Sequence, residues 1–222
     1  HKNNIKKNFF LKIIFYFFID HICLKSISKF HFLNQYEKKN FTFQKLLKKD
    51  NYFIIPNSVK KVFVKKKKLK IFKTKYNFSY IGRLSKNKGI ELMISIYLIF
   101  KKKFYNSSLH IIGPDSNHKK FLINKYKKYL SKFNIFFYKP NYSDQRLNIM
   151  GNSTANFLLS DLECDSVLSK EVWASRGLLI ITKNSFNENY YKNKIALIVK
   201  QNIRSVCIAM NKSIIETKSV DK

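Results

Sequence analysis

Two short stretches of this chain carry residue types that could hold a phosphate-bearing ligand. The first is Ile81-Gly82-Arg83-Leu84-Ser85-Lys86-Asn87-Lys88-Gly89. Gly82 allows a backbone path that a side chain would obstruct, Arg83 offers a planar fork and Lys88 a point charge, a set suited to a diphosphate. The second is Ser160-Asp161-Leu162-Glu163-Cys164-Asp165-Ser166-Val167-Leu168-Ser169-Lys170-Glu171, in which Glu163 and Glu171 stand eight residues apart. A helix starting near Ser166 would leave the amides of Ser166, Val167 and Leu168 free to donate to an anion. Glu171, about one turn further in, would then accept from vicinal hydroxyls such as those of ribose, while Glu163 on the preceding loop would face a sugar. Plainer readings also fit: a basic loop in a basic protein, and acidic residues that cap a helix.

The elements that must position these residues follow from periodicity. From Asn77 onward, short apolar runs alternate with longer helical stretches, the pattern of crossover helices on a parallel sheet. Strands are expected at Phe78-Ile81, Leu109-Ile112, Ile135-Tyr138, Asn156-Leu159, Leu178-Ile181 and Ala196-Val199. Helices are expected near Gly89-Lys103, His118-Lys132, Asp144-Met150, Leu168-Ser175, Phe186-Tyr191 and Ile203-Ile215. The fold class is therefore α/β, a Rossmann-like doubly wound parallel sheet, whose ligands bind where carboxyl ends of strands meet helix N-termini. Earlier in the chain, Phe30-Leu33 reads as a strand, Tyr36-Leu47 as a helix and Tyr52-Ile55 as a second strand. Lys60-Tyr76, with its run Lys65-Lys66-Lys67-Lys68, reads as a solvated linker.

Composition narrows the class of protein. A hydrophobic share of 45% is ordinary for a globular chain with a core. Lys plus Arg number 44 against 13 Asp plus Glu, a net charge of +31 that would ordinarily point to a polyanionic partner. The abundance of Lys, Asn, Ile, Phe and Tyr beside scarce Gly, Pro and Ala is the bias of an AT-rich genome, so the charge is read mainly as composition. Cys23, Cys164 and Cys207 lie far apart, without the spacing of a disulfide framework or a zinc site, which fits a reducing, cytoplasmic setting. The apolar run from Phe9 to Ile19 is 11 residues long, short of the roughly 20 that span a bilayer as a helix. A buried helix is expected there, and the start at His1 is read as that of a fragment.

The order of these features resembles family 4 of the retaining glycosyltransferases. Phe53-Ile54-Ile55-Pro56-Asn57-Ser58-Val59 is similar to that family's "hIPNGV" strand and turn, with Ser58 in place of Gly. Gly82-Arg83-Leu84-Ser85-Lys86-Asn87-Lys88-Gly89 matches its "GRLxxxKG" loop without a gap. Leu109-His110-Ile111-Ile112-Gly113-Pro114 resembles a strand end written "L-x-I-x-G-x-G", and Glu171-Val172-Trp173-Ala174-Ser175-Arg176-Gly177 resembles "EAMAxG" with one extra residue before the Gly. His31-Phe32-Leu33-Asn34-Gln35-Tyr36-Glu37 looks like the end of the N-terminal domain, so the resemblance covers Phe30 to Lys212.

The resemblance implies the C-terminal half of a GT-B architecture with a truncated N-terminal domain. The expected divisions are 1–58, a remnant of the acceptor-binding domain; 59–76, a basic linker; 77–216, the donor-binding domain; and 217–222, a tail. It also implies roles. Arg83 and Lys88 would hold the diphosphate of a nucleotide sugar and oppose the charge that develops as it leaves. Glu171 would hold the ribose, Glu163 would contact the donor sugar, and Gly82, Ser166, Val167 and Leu168 would line the phosphate approach. Lys139-Pro140-Asn141-Tyr142 would lie near the base. No metal or other cofactor is required. Departures fall at Ser166, where the family usually has Gly, at Leu179, where it has Pro, and at Lys183-Glu188, where its loop contains Gly. His21 and His31 read as core or surface residues rather than catalysts.

The leading function is thus transfer of a sugar from a nucleotide sugar to a glycan or lipid-linked acceptor with retention, in surface glycan synthesis of the lipopolysaccharide or capsule type. Such an enzyme is expected in the cytoplasm, with peripheral contact to the inner face of the membrane. Two alternatives compete with it. One is a truncated or decayed glycosyltransferase that serves as an interaction subunit. The other is a basic nucleic-acid-binding protein, although no motif for reading nucleic acid is present and the lysines are spread along the chain.

Overall fold

The computed structural model describes residues 13–15, 20–59, 69–140, 145–161, 163, 165–185 and 196–220. The chain divides into two units, His1–Pro56 and Asn57–Lys222.

The first unit holds α1 (Asp20–Lys25), β1 (Phe30–Phe32), α2 (Gln35–Lys39) and β2 (Tyr52–Ile54), with a 3₁₀ turn at Gln44–Leu46. Strands β1 and β2 pair in parallel, Phe30 opposite Tyr52. Helix α2 begins with a reciprocal cap: Asn34 Oδ1 accepts from the Glu37 amide at 2.8 Å, and Glu37 Oε2 accepts from the Leu33 amide at 2.6 Å. The helix expected over Tyr36–Leu47 ends at Lys39. Asn40 closes it, its amide and its side chain both donating to the Tyr36 carbonyl. The break lets Phe41 turn in against Phe30 and Phe32, each 5.4 Å away between ring centroids. His31 lies on the surface, with Nε2 2.7 Å from the Ile55 carbonyl. The described part of the apolar run, Ile13 to Phe15, is exposed, Phe15 by 53%, in place of the burial expected of it.

The second unit is a doubly wound sheet. Its strands are β3 (Tyr76–Ile81), β4 (Ser107–Ile112), β5 (Ile135–Tyr138), β6 (Ala155–Leu158), β7 (Leu179–Thr182) and β8 (Ala196–Val199). Its helices are α3 (Ile90–Lys103), α4 (Asn117–Leu130), α5 (Gln145–Asn152), α6 (Val167–Ala174) and α7 (Ile203–Val220). The strands lie in the order β5-β4-β3-β6-β7-β8, every pair parallel. Helix α7 runs through residues expected as a tail. The helix expected at Phe186–Tyr191 lies outside the described residues.

Side-chain alternation builds the layers. Phe78 and Tyr80 of β3, Leu109 and Ile111 of β4, Phe157 of β6 and Ile180 of β7 turn to one face, under α3, α4 and α7. Leu158, Leu179 and Ile181 turn to the other, against Leu147 and Met150 of α5 and Val172 of α6. Burying each such side chain contributes roughly 1.5–3 kcal/mol. The stretch read as a solvated linker is not solvated throughout. Phe72 is 7% exposed and packs with Ile112 and Ile149, its ring 4.9 Å from that of His110. Its aromatic side chain finds an apolar seat that a lysine-rich context conceals. Among the described residues, no helix is long and apolar enough to cross a membrane.

Candidate functional site

The strand order reverses between β3 and β6, and in an open sheet of this kind that crevice receives ligands at the carboxyl ends of the strands. A cleft of about 330 Å³ lies there. Its walls include Gly82 and Arg83 after β3, Gly113 and Pro114 after β4, Pro140 after β5, Arg146 on α5, and Val167, Leu168 and Glu171 on α6. The strand ends are tied together. The Gly82 amide donates to the Ile112 carbonyl at 2.9 Å and the Gly113 amide to that of Tyr138 at 3.2 Å. A Cβ at Gly113 would stand 2.3 Å from the Gly82 carbonyl oxygen, so a side chain there would push the Gly82 turn away.

Arg83 is exposed. Among the described residues its side chain makes no hydrogen bond or ion pair, while its carbonyl accepts from the Tyr80 hydroxyl at 2.7 Å. Burial, and next the negative charge of Glu163, hold the Tyr80 phenol well above its ordinary range, with Arg83 pulling the other way. Tyr80 therefore stays protonated and serves as a fixed donor to the Arg83 turn. Sequence periodicity marks it only as a strand residue.

Helix α6 opens at the cleft. Ser166 is its N-cap, with Oγ accepting from the Ser169 amide at 3.4 Å, and it is buried, outside the cleft lining. The Ser166 side chain, at a position where the family usually has Gly, is thus occupied in capping. Val167 and Leu168, in the first turn, line the cleft. The amides of a first turn have no intrahelical acceptor and carry the positive end of the helix dipole. Glu171 also faces the cleft, but it is not alone there: Arg146 Nη2 donates to its Oε1. Sequence reading missed Arg146. The chain has four arginines among its 44 basic residues, and two of the four line this cleft, a rarity that could have drawn attention to it.

Lys88 and Glu163 are brought together beside the cleft rather than on its walls. Lys88 Nζ donates to Glu163 Oε1, which also accepts from Ser160 Oγ at 2.8 Å. The loops carrying them are docked by a backbone bond of 3.0 Å from the Asp161 amide to the Asn87 carbonyl. Gly89, in the left-handed region at φ 66°, lets α3 start directly behind Lys88; a Cβ there would meet the Leu159 carbonyl at 2.3 Å.

A third cluster fixes the loop ahead of α6. Asp165 Oδ2 accepts from the Asn57 amide at 2.7 Å and from Lys170 Nζ at 2.5 Å. Asn57 Nδ2 donates to the Asp165 carbonyl at 2.8 Å, and Lys170 Nζ to that of Asn57 at 2.6 Å. Of the loop expected near the base, Pro140 lines the cleft, while Asn141 and Tyr142 lie outside the described residues.

Comparison with known proteins places this architecture. The chain is similar to TarM, with 18% identity and a TM-score of 0.69 over 87% of this chain and 38% of that one. It is similar to WaaG, a glycosyltransferase involved in lipopolysaccharide biosynthesis, with 11% identity and a TM-score of 0.71 over 86% of this chain and 54% of that one. It is also similar to the C-terminal domain of a glycosyl transferase group 1 family protein, LpcC, from Francisella tularensis, with 17% identity and a TM-score of 0.56 over 65% of this chain and 78% of that domain. These likenesses show the fold, an α/β parallel sheet like that of the C-terminal domains of GT-B glycosyltransferases. The chain spans 38% and 54% of the lengths of TarM and WaaG. Comparison with curated protein sequences finds no match. The family described as glycosyl transferases group 1 matches residues 62–217, and the chain belongs to it.

Proposed function

We propose that this chain is the donor-binding part of a retaining, family 4 glycosyltransferase that moves a hexosyl group from a nucleotide sugar to a glycan or lipid-linked acceptor. The observation that carries the reading is a single cleft walled by the Gly82-Arg83 turn, the first turn of α6 and Glu171. Backbone amides and an exposed guanidinium suit a diphosphate, and a carboxylate about one turn further along the helix suits ribose hydroxyls. In the reaction, the bond between the anomeric carbon and the leaving phosphate oxygen breaks. A bond from the acceptor hydroxyl oxygen forms on the same face, and the hydroxyl proton passes to the departing diphosphate. Arg83 and the α6 amides meet the charge that builds on that diphosphate, with Lys88 as the second cation and Glu163 orienting the sugar. With these groups meeting that charge, the reaction is proposed to need no bound metal or other cofactor. The acceptor is proposed to belong to surface glycan synthesis of the lipopolysaccharide or capsule type. The surplus of lysine supports peripheral contact with the inner face of an anionic membrane.

Calorimetry with UDP- and GDP-sugars tests the donor site. The wild-type chain is expected to bind one of them, and Arg83→Ala is expected to weaken that binding at least about tenfold, the effect of losing a charge-assisted contact. Equal binding by the variant would remove Arg83 from the site.

A further inference from the structure

The two arginines of the cleft stand in different electrostatic situations. Arg83 is exposed and, among the described residues, has no side-chain partner, as a phosphate ligand waiting for its anion would. Arg146 is committed. It reaches from α5 to Oε1 of Glu171 on α6, with the two side chains 29% and 14% exposed. Arg146 Nε is buried without an acceptor, so the bond to Glu171 is what orients the guanidinium. The dependence is mutual. The neighbouring Lys170 is drawn off to Asp165 and to the Asn57 carbonyl, which leaves Arg146 as the cation that meets the Glu171 carboxylate.

A carboxylate offers two oxygens and about four lone-pair sites. A guanidinium on one oxygen restricts rotation of the group, and among the described residues the second oxygen of Glu171, a residue that lines the cleft, has no partner. We propose that Arg146 is a positioning residue for nucleoside recognition: it holds Glu171 so that the carboxylate accepts from the ribose hydroxyls, and so sets the preference for ribonucleoside over deoxyribonucleoside diphosphates. This rests on the donor-site reading above. Arg146 acts through Glu171 and does not itself touch the diphosphate.

The experiment uses the full chain and calorimetry with UDP, GDP and ADP, followed by the 2′-deoxy and 3′-deoxy counterparts of whichever binds. In the wild type, loss of a hydroxyl is expected to weaken binding about tenfold or more, the scale of a hydrogen bond to a charged group. In Arg146→Gln that ratio is expected to fall to within about twofold of unity, and adding Glu171→Gln to the variant should lower it no further. Arg146→Lys supplies a point charge without the planar fork and should give an intermediate ratio. General damage to the fold lowers both affinities together and leaves the ratio alone, so an unchanged ratio in Arg146→Gln overturns the proposal. Should Arg146→Gln not fold, an unchanged ratio in Arg146→Lys does the same. A wild type that binds the diphosphate with no ribose preference also overturns it, while the donor site stands. A wild type that binds none of the three diphosphates overturns the donor site and this inference with it.

Discussion

At the scale of single residues, the second unit answers its surplus of positive charge by giving its few acidic groups defined partners. Glu163 pairs with Lys88, Glu171 with Arg146, and Asp165 with Lys170. The last pair is the most buried: the Asp165 side chain has no exposed area, and its Oδ1 has no partner. Removing one member of such a pair leaves the other charge buried, which typically costs about 3–5 kcal/mol. Asp165→Ala is accordingly expected to destabilise the chain by about 3 kcal/mol in urea unfolding, and Asp165→Asn by less, because an amide oxygen can still accept from the Asn57 amide. Equal effects of the two substitutions would mean that packing, not charge and hydrogen bonding, holds this loop.

At the scale of elements, the ends of α6 show how closely local geometry governs the site. Its N-cap is Ser166, where glycine was the family expectation, and the capping bond compensates for the lost freedom. At the other end Arg176 takes a left-handed conformation, φ 57°. The Gly177 amide reaches back to the Val172 carbonyl at 2.8 Å, and the Arg176 amide to that of Trp173 at 2.9 Å. These two bonds close the helix in the way a C-terminal glycine usually does. A side chain in that conformation costs about 1–2 kcal/mol, part of which glycine returns through the greater entropy of its unfolded state. Arg176→Gly is therefore expected to raise stability by about 0.5–1 kcal/mol, seen as a higher urea midpoint with an unchanged slope; a lower midpoint would show that the Arg176 side chain makes a compensating contact.

At the scale of the whole second unit, the sheet carries a polar seam within its core. Thr74 Oγ1 lies 2.8 Å from Ser108 Oγ, which donates to Asn77 Oδ1 at 2.7 Å and stands 2.7 Å from His110 Nε2; His110 Nδ1 is 3.2 Å from the Tyr138 hydroxyl. His110 has no exposed area, and burial lowers its pKa to about 4. The unfolded chain, with a histidine near its ordinary value of about 6.5, binds more protons between these two values. This contribution to stability is full above about pH 6.5 and is lost as the pH falls through about 4. Between about pH 7.5 and pH 4.5 the wild type should lose about 2–3 kcal/mol relative to His110→Phe, measured by urea unfolding at both values. A constant difference would mean that His110 takes up a proton as readily in the folded chain as in the unfolded one.

Periodicity alone determined the alternation of strands and helices after Asn77, because parallel strands buried on both faces read as short continuous apolar runs. Strands β5 and β8 coincide with their expected limits, and the others lie within two residues of theirs. The loop from Gly82 to Lys88 stood out in the sequence because Gly82, Arg83 and Lys88 sit at fixed offsets after a strand. Residue types and spacing also marked Glu163 and Glu171. Only the tertiary structure decided what these groups meet. Arg146 comes from another helix 25 residues away in sequence and Asn57 lies 108 residues from Asp165, distances over which local patterns carry no information. The seat of Phe72 in a lysine-rich stretch, and the separation of the Lys88–Glu163 pair from the walls of the cleft, were set by packing between elements, which one-dimensional spacing does not record.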